Sequence, residues 1–281
     1  MKVIVLGSGT SQGVPEIGCS CRVCTSPDGR DKRMRSSVYI CGDAGERLLI
    51  DAGPEFRLQA LRAGIKKLDG ILLSHSHADH MHGLDDLRPL SWRGPVPIYG
   101  NSETIAELKE RFSYVFNPTG QRGGGRPKLE PRIIDGPVEI GSLHIRPVPV
   151  KHGSLDILGW EIHERGSEKS FLYLTDTSAI PEESLGELRD SLASKTPGHS
   201  RVLIIGGLRV KPHETHFTFE AALDAALGLG AEQIYLTHIC HEHDHLEIEG
   251  IIKNFMETRT NRDPRHGLIT SPAWDGLELE I

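Results

Sequence analysis

His75-Ser76-His77-Ala78-Asp79-His80 follows directly on the apolar run Ile71, Leu72 and Leu73. Three imidazoles and a carboxylate within six residues have little use in a hydrophobic interior, because buried polar groups need partners. Metal coordination is the natural partnership. An extended chain points residues i and i+2 to the same side, so His75 and His77 can grip one cation. Asp79 and His80 lie on the following turn and can face a second cation. The hexapeptide therefore predicts a buried strand that ends at a site for two metals.

Outward from it, short β-branched runs recur at residues 2–6, 37–41, 47–51, 70–74, 143–150, 158–163, 170–175, 201–205, 233–237 and 277–281. Helical periodicity is read at 55–63, 102–112, 182–192, 218–229 and 246–257,. This alternation suits two sheets sandwiched between helical layers, an α/β arrangement. The 281 residues, 37% of them hydrophobic, suffice for a full core and are read as a single domain over 1–281,. The Gly-, Pro- and Arg-rich stretch 114–132 reads as a solvated surface insertion,. The alternative is a lid whose Arg122 or Arg126 reaches an anionic substrate.

Thirty-two basic residues against 39 acidic ones give a formal charge of −7. That argues against a broad electrostatic grip on extended nucleic acid and leaves a small anionic substrate held by metals. No stretch is long or apolar enough to span a membrane. The N-terminal MKVIVLG lacks the apolar core of a secretory signal. A cytoplasmic protein with its cysteines as thiols or metal ligands is the expectation, and a homodimer is left open.

Other strand ends carry metal-type residues too. PVKHG places His152, FLYLTD ends in Asp176, IYLTH ends in His238 and LLIDAG carries Asp51. His75, His77 and His152 can hold a first ion and Asp79, His80 and His238 a second, with Asp176 bridging and a shared hydroxide as nucleophile. Asp51 is left either to orient a ligand histidine or to cap the next turn. The C-x-C-x2-C spacing of Cys19, Cys21 and Cys24 gathers three thiolates that want a fourth ligand for a tetrahedral zinc,. His241, three residues after His238, is the candidate. Cys41 and Cys240 sit in apolar strand patterns and read as core residues. His82, His243, Asp244 and His245 read as surface or supporting residues.

HSHADH, with the later His152, Asp176 and His238, resembles the metallo-β-lactamase superfamily. The likeness runs over nearly the whole chain, from VLGSGTSQGVP to WDGLELEI. Within it the chain is similar to the PhnP-type phosphodiesterases associated with the carbon–phosphorus lyase pathway, with ribonuclease Z more distant. The resemblance implies a four-layer αββα sandwich with a dinuclear zinc or manganese site at one edge of the two sheets. It also implies a structural zinc on three loop cysteines and a histidine in the matching place, and a catalytic histidine at His216 in HETHFTFEAAL. Asp79 and His216 are thus the catalytic candidates, His216 protonating the departing alkoxide. His213 is a local competitor for that role and Arg209 adds positive charge. One departure stands out: relatives often carry an aspartate in the segment occupied here by Ile205, Gly206, Gly207 and Leu208.

The expected activity is metal-dependent hydrolysis of a small cyclic phosphate or nucleotide-like phosphodiester. A ribonuclease Z-like nuclease is a second expectation, although the charge balance supplies no basic exosite. The same scaffold also serves lactonases and thioesterases. A binding module merely braced by metals would need fewer ligands than this set provides.

Overall fold

The computed structural model describes residues 1–117, 125–193, 200–260 and 268–281. The first six strands, β1 (Lys2–Gly7), β2 (Ser37–Cys41), β3 (Arg47–Ile50), β4 (Gly70–Leu72), β5 (Val96–Gly100) and β6 (Leu129–Ile133), lie in chain order in one sheet. The next seven form the second sheet: β7 (Val138–Ile140), β8 (Leu143–His152), β9 (Leu155–Glu164), β10 (Lys169–Leu174), β11 (Ser200–Gly206), β12 (Gln233–Thr237) and β13 (Ile269–Pro272). The last strand, β14 (Glu278–Glu280), crosses back to pair antiparallel with β1. Both sheets run antiparallel on one side and parallel on the other, with β3 to β6 and β10 to β13 the parallel sets.

Side-chain alternation explains the layering. Val3, Val5, Leu72, Trp160, Tyr173 and Ile204 point into the space between the sheets. Their neighbours Ile4, Leu6, Ile71 and Leu73 face outward, onto α1 (Phe56–Arg62) and the helices that follow α2 (Ala78–Met81), namely α3 (Ser102–Arg111) and α4 (Ser113–Phe116). Leu172, Leu203, Ile205 and Leu236 cover the outer face of the second sheet beneath α5 (Glu182–Ala193), α6 (Phe219–Gly228) and α7 (His245–Thr260). Strands buried on both faces must be apolar almost throughout, which is why these runs read so clearly. Each fully buried aliphatic side chain contributes about 1.5–3 kcal/mol. The result is the expected four-layer αββα sandwich.

Four strands escape the sequence reading, and each has a physical reason. β6 (LEPRI), β7 and β13 are sheet-edge or near-edge strands with little to bury, and Pro97, Pro131 and Pro272 interrupt β5, β6 and β13,. The expected insertion at 114–132 is shorter than its composition suggests, since α4 and β6 occupy its ends. Arg122 lies outside the described residues. Arg126 is exposed and donates to the Tyr114 carbonyl at 3.5 Å, while the Tyr114 hydroxyl meets Asp85 at 2.5 Å.

Candidate active site

Five strand ends converge where the sheets meet. Asp51 follows β3, His75 follows β4, His152 ends β8, Asp176 follows β10 and His238 follows β12. Asp51, Asp176 and His238 have φ of 59°, 51° and 58°, and they are the positive-φ non-glycine residues among those described. A left-handed residue turns the chain sharply at a strand end, at a cost of about 1–3 kcal/mol each, and such residues cluster where function demands them. Close backbone approach completes the frame. A Cβ on Gly53 would fall 2.2 Å from the Asp79 carbonyl, and one on Gly206 would fall 3.0 Å from the Asp176 nitrogen. That crowding gives a physical reason for glycine at 206.

The side chains form two adjoining groups. His75, His77 and His152 bring ligand-type atoms within 4.8 Å of one another, and so do Asp79, His80, Asp176 and His238. Asp176 Oδ1 lies 3.2 Å from His80 Nε2 and 3.0 Å from His238 Nδ1. Asp79 Oδ2 lies 3.0 Å from His80 Nε2. A third group, His152, Asp176 and His216, meets the same distance criterion, and the His216 ring stands 4.7 Å from His152 and 4.8 Å from His238.

Neighbours fix how these rings face. His80 Nδ1 meets Asp51 Oδ2 at 2.8 Å, and Asp51 also accepts from the Ser74 nitrogen and hydroxyl, both at 2.8 Å. Of the two roles left open for Asp51, it orients a histidine. His152 Nδ1 donates to the Thr215 carbonyl at 2.7 Å, which leaves Nε2 as the free lone pair,.

The donor set fits metal ions. His75 Nε2 and His80 Nε2 are buried without a hydrogen-bond partner among the described residues, and the latter faces two carboxylates. Burial alone would lower the His80 pKa, yet Asp176, Asp79 and Asp51 together hold it well above the ordinary value. The three carboxylates thus call for positive charge at this spot, which a dication among the same atoms would supply in place of the proton. Burial, with His80 beside it, pushes His75 well below its usual range. Burial, with His238 and other imidazoles nearby, takes His216 down to about 3, so its ring is neutral at pH 7.

A second cluster lies close by. Cys19, Cys21 and Cys24 place Sγ at 3.4, 3.8 and 3.3 Å from His241 Nδ1. His241 Nε2 faces Glu16 at 3.1 Å, which orients the ring toward the thiols,. Hydrogen bonds from the Cys24 backbone and from neighbouring thiols draw Cys21 down to about 7, while burial pushes Cys24 up to about 11. A cation among these sulfurs would favour the thiolate at all three.

A family profile described as a β-lactamase superfamily domain matches residues 46–239. The chain belongs to the β-lactamase superfamily. A solved diphosphatase from the PhnP family is 40% identical, with a TM-score of 0.80 over 100% of this chain and 97% of that one. Zn(2+)-bound PqqB from Methylobacterium extorquens shares the fold at 20% identity and a TM-score of 0.75, covering all of both chains. An octanoyltransferase from Porphyromonas gingivalis is 41% identical over 253 residues, 88% of this chain. The chain spans about half of that relative, 48% of its length. With these likenesses the chain has the metallo-β-lactamase fold.

For this superfamily member the structure brings together every ligand candidate read from the sequence: His75, His77, Asp79, His80, His152, Asp176 and His238 in one place, and Cys19, Cys21, Cys24 and His241 in the other. His216 stands beside the first group, and His213 stands 5.1 Å from His216. His82 is exposed, as expected. Of the two roles left open for His245, it is a supporting residue, since its side chain is 1% exposed, its ring meets Glu249 and its backbone nitrogen donates to Asp31. One expectation needs correcting. Cys41 and Cys240 are only half-buried rather than core residues. Missed altogether are Thr10, whose hydroxyl lies 3.2 Å from His238 Nε2, and Ser36, 3.4 Å from His238 Nδ1. Nothing in the spacing of these small hydroxyl residues marks them, and only the fold carries them to His238. No described helix is long and apolar enough to cross a membrane.

Proposed function

We propose that the chain is a metal-dependent phosphoric ester hydrolase acting on small phosphodiesters, cyclic phosphates or nucleotide-like esters. The observation that carries this reading is Asp176. It stands between His80 and His238 with the three-histidine group beside it, an open arrangement of seven donors with His216 alongside. The identity to a PhnP-family diphosphatase brings phosphoric anhydrides into the same substrate class. His75, His77 and His152 would hold one divalent cation and Asp79, His80 and His238 another, with Asp176 shared. When bound, zinc or manganese supplies Lewis acidity toward phosphoryl oxygens and lowers the pKa of water. The Cys19, Cys21, Cys24 and His241 group would hold a structural zinc.

The chain's own residues do the rest. Asp51 and the Thr215 carbonyl lock His80 and His152 in the tautomers that leave Nε2 free. Neutral His216 offers an N–H to a phosphoryl oxygen on arrival. An anionic ester beside it raises its proton affinity, so that it can then carry a proton to the leaving oxygen. The test is metal analysis combined with turnover of bis(p-nitrophenyl) phosphate. Metal-loaded protein should hydrolyse it and stripped protein should not, whereas equal rates in both forms would end the reading.

A carbonyl-ester or thioester hydrolase is the second reading. It has the 41%-identical octanoyltransferase in its favour, a protein of about twice the matched length. Faster turnover of an octanoyl thioester than of any phosphoric ester would decide for it.

A further inference from the structure

We infer that the cavity between the two ligand clusters receives the leaving half of the substrate and that Arg209 reads an oxyanion carried on that half. This rests on the phosphoric-ester reading above. The cavity encloses about 250 Å3. Thr10 on its wall touches His238, His213 stands beside His216, and Glu16 and His241 belong to the cysteine cluster. The cavity therefore opens on the His216 side of the centre. Whatever is bonded to the oxygen that His216 serves has this space to enter.

The lining has acceptors already engaged and donors to spare. Glu242 accepts from Arg209 Nη1 at 2.8 Å, with Lys211 3.8 Å from its other oxygen. Glu16 is engaged by His241. A guanidinium has five N–H donors, and Glu242 takes one here,. Arg209 Nε has no hydrogen-bond partner among the described residues. The Thr215 nitrogen donates to His213 Nδ1 at 3.3 Å, so Nδ1 is an acceptor there and the ring hydrogen sits on Nε2 as a further donor,. Spare donors around a planar cation suit a carboxylate or phosphate oxyanion better than a neutral hydroxylated group. In hydrolysis the oxygen of water bonds to the attacked phosphorus and the bond to the ester oxygen breaks. The water's proton leaves with that oxygen, and the departing half keeps its oxyanion in the cavity.

The test uses metal-loaded protein and two aryl phosphodiesters that differ only in the leaving phenol, one para-nitro and one para-carboxylate. Arg209→Gln should lower the carboxylate-to-nitro ratio of kcat/KM by about tenfold or more, the scale of one charge-assisted hydrogen bond, through KM. Arg209→Lys should restore part of that ratio. A ratio unchanged within about twofold, the range of ordinary context effects, overturns the inference. Calorimetric binding of 4-carboxyphenyl phosphate against phenyl phosphate separates the two readings. The carboxylate should tighten binding in the parent protein and not in Arg209→Gln. That result without phosphodiester turnover would sink the hydrolase reading and leave the subsite standing, whereas equal binding of both ligands by the parent protein would sink the subsite.

Discussion

Asp176 joins backbone strain and charge at one residue, with a φ of 51° and one carboxylate oxygen between two imidazoles. Asp176→Ala should therefore lose metal as well as turnover, with kcat down by about two orders of magnitude or more. Mass-spectrometric metal counts beside kcat check this, and full activity in the variant would exclude Asp176 from the centre. His216→Ala should retain its metals and lose about 10²-fold in kcat on a poor leaving group, the ordinary worth of a positioned proton donor. Away from the site, the Asp275 side chain is 2% exposed, and burial pushes its carboxyl up to about 6. The carboxyl binds its proton more tightly folded than unfolded, so its contribution to stability is complete below about pH 4 and fades as pH rises through about 6,. Asp275→Asn should flatten the slope of unfolding free energy between those values, measured by denaturant titration. The metal-type residues are legible in the sequence because imidazoles and carboxylates at strand ends have few other uses. Ser74, Ser36 and Thr10 are not, because a small hydroxyl gains its role only from the atom the fold sets beside it.

At the scale of elements, the cysteine loop and the segment after β12 hold each other. The Cys19–His241 contact is backed by fully buried Arg33, which donates to the carbonyls of Cys240 and His243 and pairs with Asp31. Cys24→Ser should weaken a zinc held there, lower the melting temperature by several degrees and raise amide exchange in residues 15–25 and 240–244, about the effect of one lost anchor in a chain this long,. Unchanged exchange in both segments would mean the cluster braces nothing. Central strands are legible because both of their faces are buried. Edge strands such as β7, three residues long, leave almost no pattern to read, and proline in β6 and β13 removes what remains.

For the whole molecule, a formal charge of −7 opposes a long polyanion, whereas the proposed metal centre, once loaded, would still take a small one,. Structured RNA should show no retention in a gel at physiological salt, and saturable binding there would favour a nuclease. The layered arrangement is legible from the alternation of strands and helices. The chain's return to its first sheet is not, because no local pattern says which edge the final strand will join. That return sets an order of events. β14 comes after the whole second sheet and yet completes the edge beside β1, so Lys2 waits for Glu280 as its neighbour while everything between is made. On a ribosome the first half would emerge with an open flank until β14 follows it out. Early chains would thus be exposed to strand-to-strand aggregation, and assembly would be slow, as contacts so distant in sequence require.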